Sequence, residues 1–138
     1  MDTIQLYNQD HAEIIYNSAL RTIVLTWKGF ANEESYRETV TTAYQAILKY
    51  EAIGWISDQT LARAVPKSGS DWVKTTMVPK MAEAGIKAAA FITSKDTFNQ
   101  IYAKGLEKVI LNQSTALRYF SDKEEASAWL QEELTIVQ

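Results

Sequence analysis

The sequence predicts an α/β fold in which an N-terminal antiparallel meander leads into a mostly parallel sheet flanked by about four helices. Apolar and polar residues alternate with period two in the first segments, which is typical of half-buried strands. From residue 20 onward, strand-like runs alternate with helix-like runs, and this order favours parallel strands joined by crossover helices. With 138 residues and no linker-like stretch, the chain is expected to form one domain, residues 1–138.

Three strands are predicted before the first helix. Ile4 and Leu6 alternate with polar neighbours, and turn-forming residues follow at 8–11. Residues 13–16 return as a second strand. The third, residues 20–27, has an apolar centre on both faces and is therefore expected in the interior of the sheet.

The period changes after residue 31, which predicts an amphipathic helix. Asn32 is the expected N-cap, and Glu33 and Glu34 stand in the first turn, where the helix dipole favours acids. The apolar positions recur at helical spacing and predict a face packed on the sheet: Tyr36, Val40, Ala43, Tyr44, Ile47 and Leu48.

The middle of the chain predicts a short strand at residues 55–56, a long connection at residues 59–67 and then a helix. Pro79 lacks the N–H that would bond the Thr75 carbonyl, so the helix is expected to kink or break there. Met77 and Met81 are interpreted as core residues. Gly85 is placed to end the helix in the left-handed conformation.

The last third predicts a strand, a helix, a strand and a helix. The strand at residues 86–92 precedes a helix that begins at Ser94 or Lys95 and whose apolar face reaches Ile110. A strand at residues 117–120 follows. Ser121 and Glu124 form a capping-box pattern, which predicts the start of the terminal helix.

Composition excludes several kinds of partner. The net charge of −3 and the pI near 5.2, without a cluster of Lys and Arg, argue against nucleic acid. No run of about 18 apolar residues occurs, so no integral membrane segment is expected. Because a secretory signal is also absent from the N-terminus, the sequence predicts a cytoplasmic protein.

Catalytic and cofactor motifs are missing. The chain has no cysteine and a single histidine, His11, which falls in the first turn and is expected to be exposed. No glycine-rich nucleotide-binding pattern occurs among the five glycines. The sequence therefore predicts neither an enzyme, a metal site nor a bound cofactor.

The candidate binding residues follow the carboxyl ends of predicted strands, where open α/β sheets collect their ligands. The six candidates are Asp58, Gln59, Ser68, Ser70, Trp72 and Trp27. Four of them also have a structural interpretation, which stays open: Asp58 after a strand bonds loop amides, Ser68 and Ser70 before a helix are N-caps, and Trp72 packs at an edge.

Several motifs carry a family resemblance that covers most of the chain. They are Trp27-x-Gly29, the strand-end Asp58, Ser70-x-Trp72, and Phe120-x-Asp122 followed by Ala126-x-x-Trp129-Leu130. Together they resemble the STAS domain superfamily of SpoIIAA-like proteins, which includes bacterial anti-sigma-factor antagonists and, more distantly, CRAL-TRIO lipid carriers.

The resemblance implies a binding role without catalysis. In the antagonists, a phosphorylatable serine lies in an Asp-Ser-x-Gly stretch after the strand that ends in Asp. The comparable region here reads Lys67-Ser68-Gly69-Ser70-Asp71, so the phosphoacceptor motif is absent. The chain therefore resembles the uncharacterised bacterial branch that lacks this motif.

Two functions from different classes follow. The first is a regulatory or protein-interaction domain that binds its partner through the region from Asp58 to Trp72. The alternative is a carrier or sensor of a small apolar or lipid-like ligand in a crevice at the carboxyl end of the sheet. Edge pairing of the meander makes a homodimer a further expectation.

Overall fold

The computed structural model describes residues 2–64, 66–111 and 115–137. The helices are α1 (Glu33–Tyr50), α2 (Lys67–Trp72), α3 (Val78–Glu83), α4 (Lys95–Ala103) and α5 (Lys123–Val137), and a π-helical turn (Val73–Met77) joins α2 to α3. The strands are β1 (Thr3–Gln9), β2 (Ala12–Asn17), β3 (Thr22–Phe30), β4 (Gly54–Ala64), β5 (Ala88–Ile92), β6 (Lys108–Leu111) and β7 (Thr115–Phe120).

The strands form one seven-stranded sheet in the order β1-β2-β3-β4-β5-β7-β6. β1, β2 and β3 pair antiparallel as a meander. β3, β4, β5 and β7 pair parallel, and β6 adds an antiparallel edge beside β7. The predicted fold class is confirmed.

The sheet separates two apolar cores. Along β4 the side chains alternate, so that Trp55 packs with α1 and α3 in the larger core, whereas Ile56 packs with α5 in the smaller one. α5 inserts Ala126, Leu130 and Leu134, each at most 1% exposed. The helices that shape the candidate site lie on the larger core.

β4 is much longer than the predicted strand at residues 55–56, so the predicted long connection at 59–67 is wrong over most of its length. Residues after Asp58 continue beside the end of β3, with Leu61 opposite Lys28. The register shifts between Thr26 and Lys28 because β4 contains an extra residue there, a β-bulge. Val65, which also belonged to the predicted connection, lies outside the described residues.

α1 and the segment from α2 to Gly85 follow most of their predictions. The exception is Leu48, which was expected on the face packed on the sheet but lies at the edge of that face and is 52% exposed. The Asn32 side chain accepts the Ser35 N–H at 2.8 Å and caps α1. The expected disturbance at Pro79 is the π-helical turn, in which the Val78 N–H reaches back five residues to the Val73 carbonyl. Met77 and Met81 are buried, and Gly85 ends the segment at φ +115°.

α4 is shorter than predicted. It ends at Ala103 because Gly105, at φ +70°, turns the chain: its N–H donates to the Tyr102 carbonyl at 2.9 Å, and the Leu106 N–H donates to the Ile101 carbonyl at 3.0 Å. This is a Schellman motif. The predicted continuation to Ile110 is wrong, since residues 108–111 form β6.

The cap of α5 also differs from the prediction. The Glu124 N–H donates to Asp122 Oδ1 at 2.8 Å, so Asp122 caps the helix in place of Ser121. The inward-facing positions of α5 are as predicted, because Ala126, Leu130 and Leu134 pack against the sheet.

The expected exposure of His11 is wrong. The side chain is half-buried against α1, with its Nε2 2.9 Å from Thr39 Oγ1 and 3.0 Å from the Tyr7 hydroxyl. The Thr39 hydroxyl donates to the Ser35 carbonyl at 2.8 Å, so the remaining contacts use its oxygen as an acceptor. His11 thus ties the β1–β2 turn to α1.

Candidate functional site

A cleft of about 190 Å³ opens at the carboxyl end of the parallel strands, on the side of the larger core. Helices α1, α2, α3 and α4 and the π-helical turn surround the ends of β4, β5 and β7 here. Sites in open α/β sheets occur at this edge. The lining residues are Tyr36, Gln59, Ser70, Val73, Lys74, Val78, Phe91, Thr93, Thr97, Ile101, Leu117 and Tyr119.

α2 is held over the cleft by a close contact with α1. The Gly69 N–H donates to Glu33 Oε1 at 3.0 Å, and a Cβ at position 69 would come within 2.5 Å of Tyr36 Cδ2. Only glycine allows this approach without displacing the ring. The contact fixes the direction of α2 and so brings Ser70, Val73 and Lys74 to the cleft.

The walls of the cleft are largely apolar and aromatic. The rings of Phe91 and Tyr119 lie 5.6 Å apart at a tilted angle, and Tyr36 is stacked on the Trp27 indole at 4.6 Å. Polar groups enter from the rim, where α2 contributes Ser70 and α4 contributes Thr97. The arrangement combines an apolar body with convergent hydrogen-bonding groups.

Among the described residues that line the cleft, Lys74 carries a charge and none is Asp or Glu. A side recess of about 180 Å³ adjoins the cleft and shares Gln59, Thr93 and Thr97 with it. Arg63 lines this recess, again without a described carboxylate. The described linings of the cleft and the recess therefore carry two cations and no carboxylate, although the Glu33 carboxylate lies close to Tyr36 and the whole chain is acidic.

The two tyrosines of the cleft are neutral over the physiological range. Burial, together with the nearby Glu33 carboxylate, raises the pKa of Tyr36 to about 12. Burial also raises the pKa of Tyr119 above its ordinary value of 10.0. Both hydroxyls therefore remain protonated and can donate hydrogen bonds to a ligand.

The family model for SpoIIAA-like proteins matches residues 22–131. The chain belongs to the SpoIIAA-like family. The matched range begins at β3 and ends within α5, so it includes every residue that lines the cleft.

A solved structure shares this SpoIIAA-like architecture. It is an uncharacterized protein of the DUF3478 family from Shewanella loihica PV-4, described as having a SpoIIAA-like fold. The two chains are 16% identical, with a TM-score of 0.53, and the likeness covers 93% of this chain and 91% of the other. At this identity the likeness shows the fold. No curated protein matches the sequence significantly.

Three of the predicted binding residues lie at the cleft of this SpoIIAA-like chain or directly beneath it. Gln59 and Ser70 line the cleft. Trp27 is 3% exposed and lines a small cavity under Tyr36, so it is part of the core as well as the floor of the site.

Asp58 does not reach the cleft. Because side chains alternate along β4, it lies on the face of the sheet opposite Gln59. Its Oδ1 accepts the Thr60 N–H at 3.0 Å, within the bulge that shifts β4 against β3. This contact favours the structural interpretation of Asp58.

Ser68 and Trp72 do not line the cleft: Ser68 is exposed, and Trp72 is half-buried and packs against the larger core. Arg37 joins them: its Nη2 donates to Ser68 Oγ at 3.3 Å, and its guanidinium lies 4.8 Å from the Trp72 ring centroid. Neither Ser68 nor Ser70 caps a helix, since α2 begins after Pro66 without a side-chain cap. The N-cap interpretation of the two serines is therefore wrong.

Sequence reasoning missed most of the cleft. Tyr36 and Tyr119 were visible as positions of a helix and a strand, but the pattern does not say that both residues line a common space. Lys74 carries no local signal in the sequence that marks it as a site residue.

Metal binding has no support in the structure. Within the described ranges, no three or more His, Asp or Glu residues are grouped so that they could hold an ion.

Proposed function

We propose that this SpoIIAA-like domain binds a small organic anion with an apolar body in the cleft. The observation that supports the proposal is the lining itself, which combines apolar and aromatic walls with one lysine and hydroxyl donors and, among its described residues, contains no acid. An anionic group near Lys74 would gain both charge attraction and hydrogen bonds.

The volume favours a ligand smaller than a typical drug-sized compound. Pockets for such compounds enclose roughly 300–1,000 Å³, whereas the cleft encloses about 190 Å³. A carboxylic acid with a single ring or a short alkyl chain is the appropriate size class. This proposal refines the small apolar ligand predicted from sequence by adding a negative head group.

The proposed role is binding rather than catalysis. Among the described lining residues, the hydroxyls of Ser70, Thr93 and Thr97 have no histidine or carboxylate beside them that could act as a base. The Thr93 hydroxyl donates instead to the Ser94 carbonyl at 3.2 Å. A sensor or carrier needs no such base.

Calorimetric titration with benzoate and with benzylamine, a cation of similar size and shape, tests the proposal. Benzoate is expected to bind more tightly than benzylamine. Lys74→Gln is expected to weaken benzoate binding up to about fivefold, because an exposed ion pair contributes roughly 0.2–1 kcal/mol. Lys80→Gln is the matched control, since Lys80 lies on α3 over the Tyr44 ring and outside the cleft.

A blocking variant gives a second test. Thr97→Trp should fill the cleft from α4 and abolish benzoate binding, while Asn99→Trp on the exposed side of the same helix should leave it unchanged. Equal binding of benzoate and benzylamine, or retention of benzoate binding by Thr97→Trp, would contradict the proposal.

A protein-interaction role is the second candidate. It is supported by the contact that joins Arg37, Ser68 and Trp72, because two residues predicted to bind a partner are thereby brought into one surface cluster on α1 and α2. The test is capture from a native lysate with wild type, Ser68→Ala/Trp72→Ala and the control Thr76→Ala. A partner that the double variant retains as well as wild type does would refute this role for the cluster.

A further inference from the structure

Two buried side-chain atoms have no hydrogen-bond partner among the described residues, Glu107 Oε2 and the indole nitrogen of Trp55. Trp55 is only 3% exposed, and its buried indole nitrogen Nε1 makes no hydrogen bond to any described residue. Buried indole N–H groups ordinarily find an acceptor, so an unpaired one requires an explanation. Trp55 lies in β4, directly beneath the walls of the cleft.

Two small cavities adjoin this side chain. One, of about 20 Å³, is lined by Trp55 together with Trp27, Ser57 and Gln59, among others. The second, of about 10 Å³, lies between Trp55 and α3. A volume of about 10–15 Å³ accommodates one water-sized group, so the larger cavity has room for a single oxygen-bearing group beside the indole.

The cavities continue the cleft inward. Val78 and Phe91 line the cleft and both cavities, and Gln59 lines the cleft and the larger cavity. The larger cavity and the cleft therefore adjoin one another and share part of their lining. A ligand whose head contacts Lys74 at the rim would direct its other end toward Trp55.

We propose that the binding site extends inward to Trp55, and that the Trp55 N–H donates a hydrogen bond to an acceptor atom at the buried end of the ligand. This inference rests on the proposed function. It narrows the ligand class to small organic anions that carry an oxygen acceptor, such as an ether, carbonyl or hydroxyl oxygen, at the end opposite the anionic group. Trp55 is then the specificity-determining residue of the site.

Two isosteric acids test the inference. 4-Methoxybenzoate has an ether oxygen where 4-ethylbenzoate has a methylene group, and the two otherwise share charge and shape. Wild-type protein is expected to bind 4-methoxybenzoate roughly threefold to tenfold more tightly, which is the effect of one hydrogen bond. The Trp55 indole proton is expected to shift on addition of the ether and to shift much less with the ethyl compound.

Two variants complete the design. Trp55→Phe should remove the preference for the ether while it retains binding of the ethyl compound, and loss of one indole signal in this variant assigns the Trp55 resonance. Trp129→Phe is the control, because Trp129 packs against the core on the opposite face of the sheet. If Trp55→Phe fails to fold, triple-resonance experiments on wild-type protein assign the Trp55 indole among the four tryptophans, so the wild-type shift still decides the test.

The outcomes separate this inference from the function on which it rests. Equal affinities for the two acids, with shifts at Ser70, Lys74 and Thr97 but none at the Trp55 indole, would overturn the inference and leave the cleft as the site. Absence of binding by both acids, without shifts at the cleft residues, would overturn both.

Discussion

Gly69 is the residue at which α2 meets α1, and its lack of a side chain matters more than its poor helix propensity. Alanine normally stabilises a helix interior by roughly 0.5–1 kcal/mol relative to glycine. Here a Cβ would lie 2.5 Å from the Tyr36 ring, which is 3% exposed and stacked on Trp27 and therefore cannot move away. The free-energy cost of this clash should exceed the gain in helix propensity from replacing glycine by alanine.

We therefore expect Gly69→Ala to lower the free energy of unfolding by about 1–2 kcal/mol, since overpacking of this kind costs roughly 1–3 kcal/mol. Urea unfolding measures the change. Ser68→Ala, one residue away on the exposed side of α2, should change it by less than about 0.5 kcal/mol. A stabilised Gly69→Ala protein would mean that α2 does not approach Tyr36 so closely.

Tyr36 makes stability depend on alkaline pH. Its pKa is raised from 10.0 to about 12 in the folded protein, chiefly by burial, so the folded state keeps the phenolic proton that the unfolded chain loses. The contribution of the protonated Tyr36 hydroxyl to the free energy of unfolding is complete below pH 10 and is lost as the pH rises toward 12.

Between pH 9 and pH 12, wild type should therefore lose roughly 2 kcal/mol more stability than Tyr36→Phe does. Denaturant unfolding of both proteins at the two pH values gives this difference. Because both proteins contain the other tyrosines, the contributions of those residues cancel in the comparison. Parallel losses in wild type and Tyr36→Phe would show that the Tyr36 hydroxyl is not buried as described.

Asp58 was one of the six binding residues predicted from sequence, and its position outside the cleft predicts the effect of its removal. Asp58→Ala removes the acceptor of the Thr60 N–H and should destabilise the protein by about 0.5–1.5 kcal/mol. Benzoate affinity should stay within about twofold of wild type, because the side chain lies on the face opposite the cleft. A large loss of affinity with normal stability would restore Asp58 as a binding residue.

At the scale of elements, the sequence predicted regular segments well and their ends less well. The apolar stripe of α1 and the apolar centre of β3 are local signals, and both are present in the structure apart from the exposed Leu48. The extension of β4 beyond Asp58 has no such signal, because it depends on pairing with Lys28, Gly29 and Phe30 across a bulge. Non-local pairing of this kind cannot be read from period alone.

α4 differs from its prediction in the opposite direction, because the helix is shorter than the sequence predicted, whereas β4 is longer. Its helical spacing continues through Leu106 and on to Ile110, so the apolar pattern alone did not mark the end of the helix. The Schellman motif at Gly105 ends it, and Leu106 is 54% exposed. A glycine at φ +70° thus determines whether the following residues continue a helix or form β6.

Gly105→Ala should therefore destabilise α4. No atom lies within 4 Å of the added Cβ, so the cost comes from the left-handed backbone alone and should be about 1 kcal/mol. Because α4 contributes Thr97 and Ile101 to the cleft, faster amide exchange in the helix and weaker benzoate binding should accompany it. Unchanged exchange throughout residues 95–103 would contradict this coupling.

At the scale of the whole molecule, the two faces of the sheet differ in what covers them. α5 covers one face with a closed apolar core. The other face carries the remaining helices, the cleft and its inner cavities. Among the described residues, no helix is long and apolar enough to span a membrane.

The fold class and the family could be predicted from sequence, because strand and helix order and the motifs from Trp27 to Leu130 are distributed along the chain. The cleft could not, since its described lining comes from seven helices and strands, the π-helical turn and the connection after β5. Lys74 illustrates the reason: it becomes a site residue only because Gly69 lets α2 approach Tyr36 and a π-helical turn follows. Homodimer formation through the exposed edge of β1 stays a prediction that sedimentation equilibrium can test.

The most direct measurement of the central claim is a titration of ¹⁵N-labelled protein with benzoate, followed by amide chemical shifts. The account predicts saturable shifts that concentrate at the cleft, at Ser70, Val73, Lys74, Thr93, Thr97 and Tyr119, with little change along α5. Shifts confined to α5 or the meander, or no saturable shifts at millimolar benzoate, would contradict it.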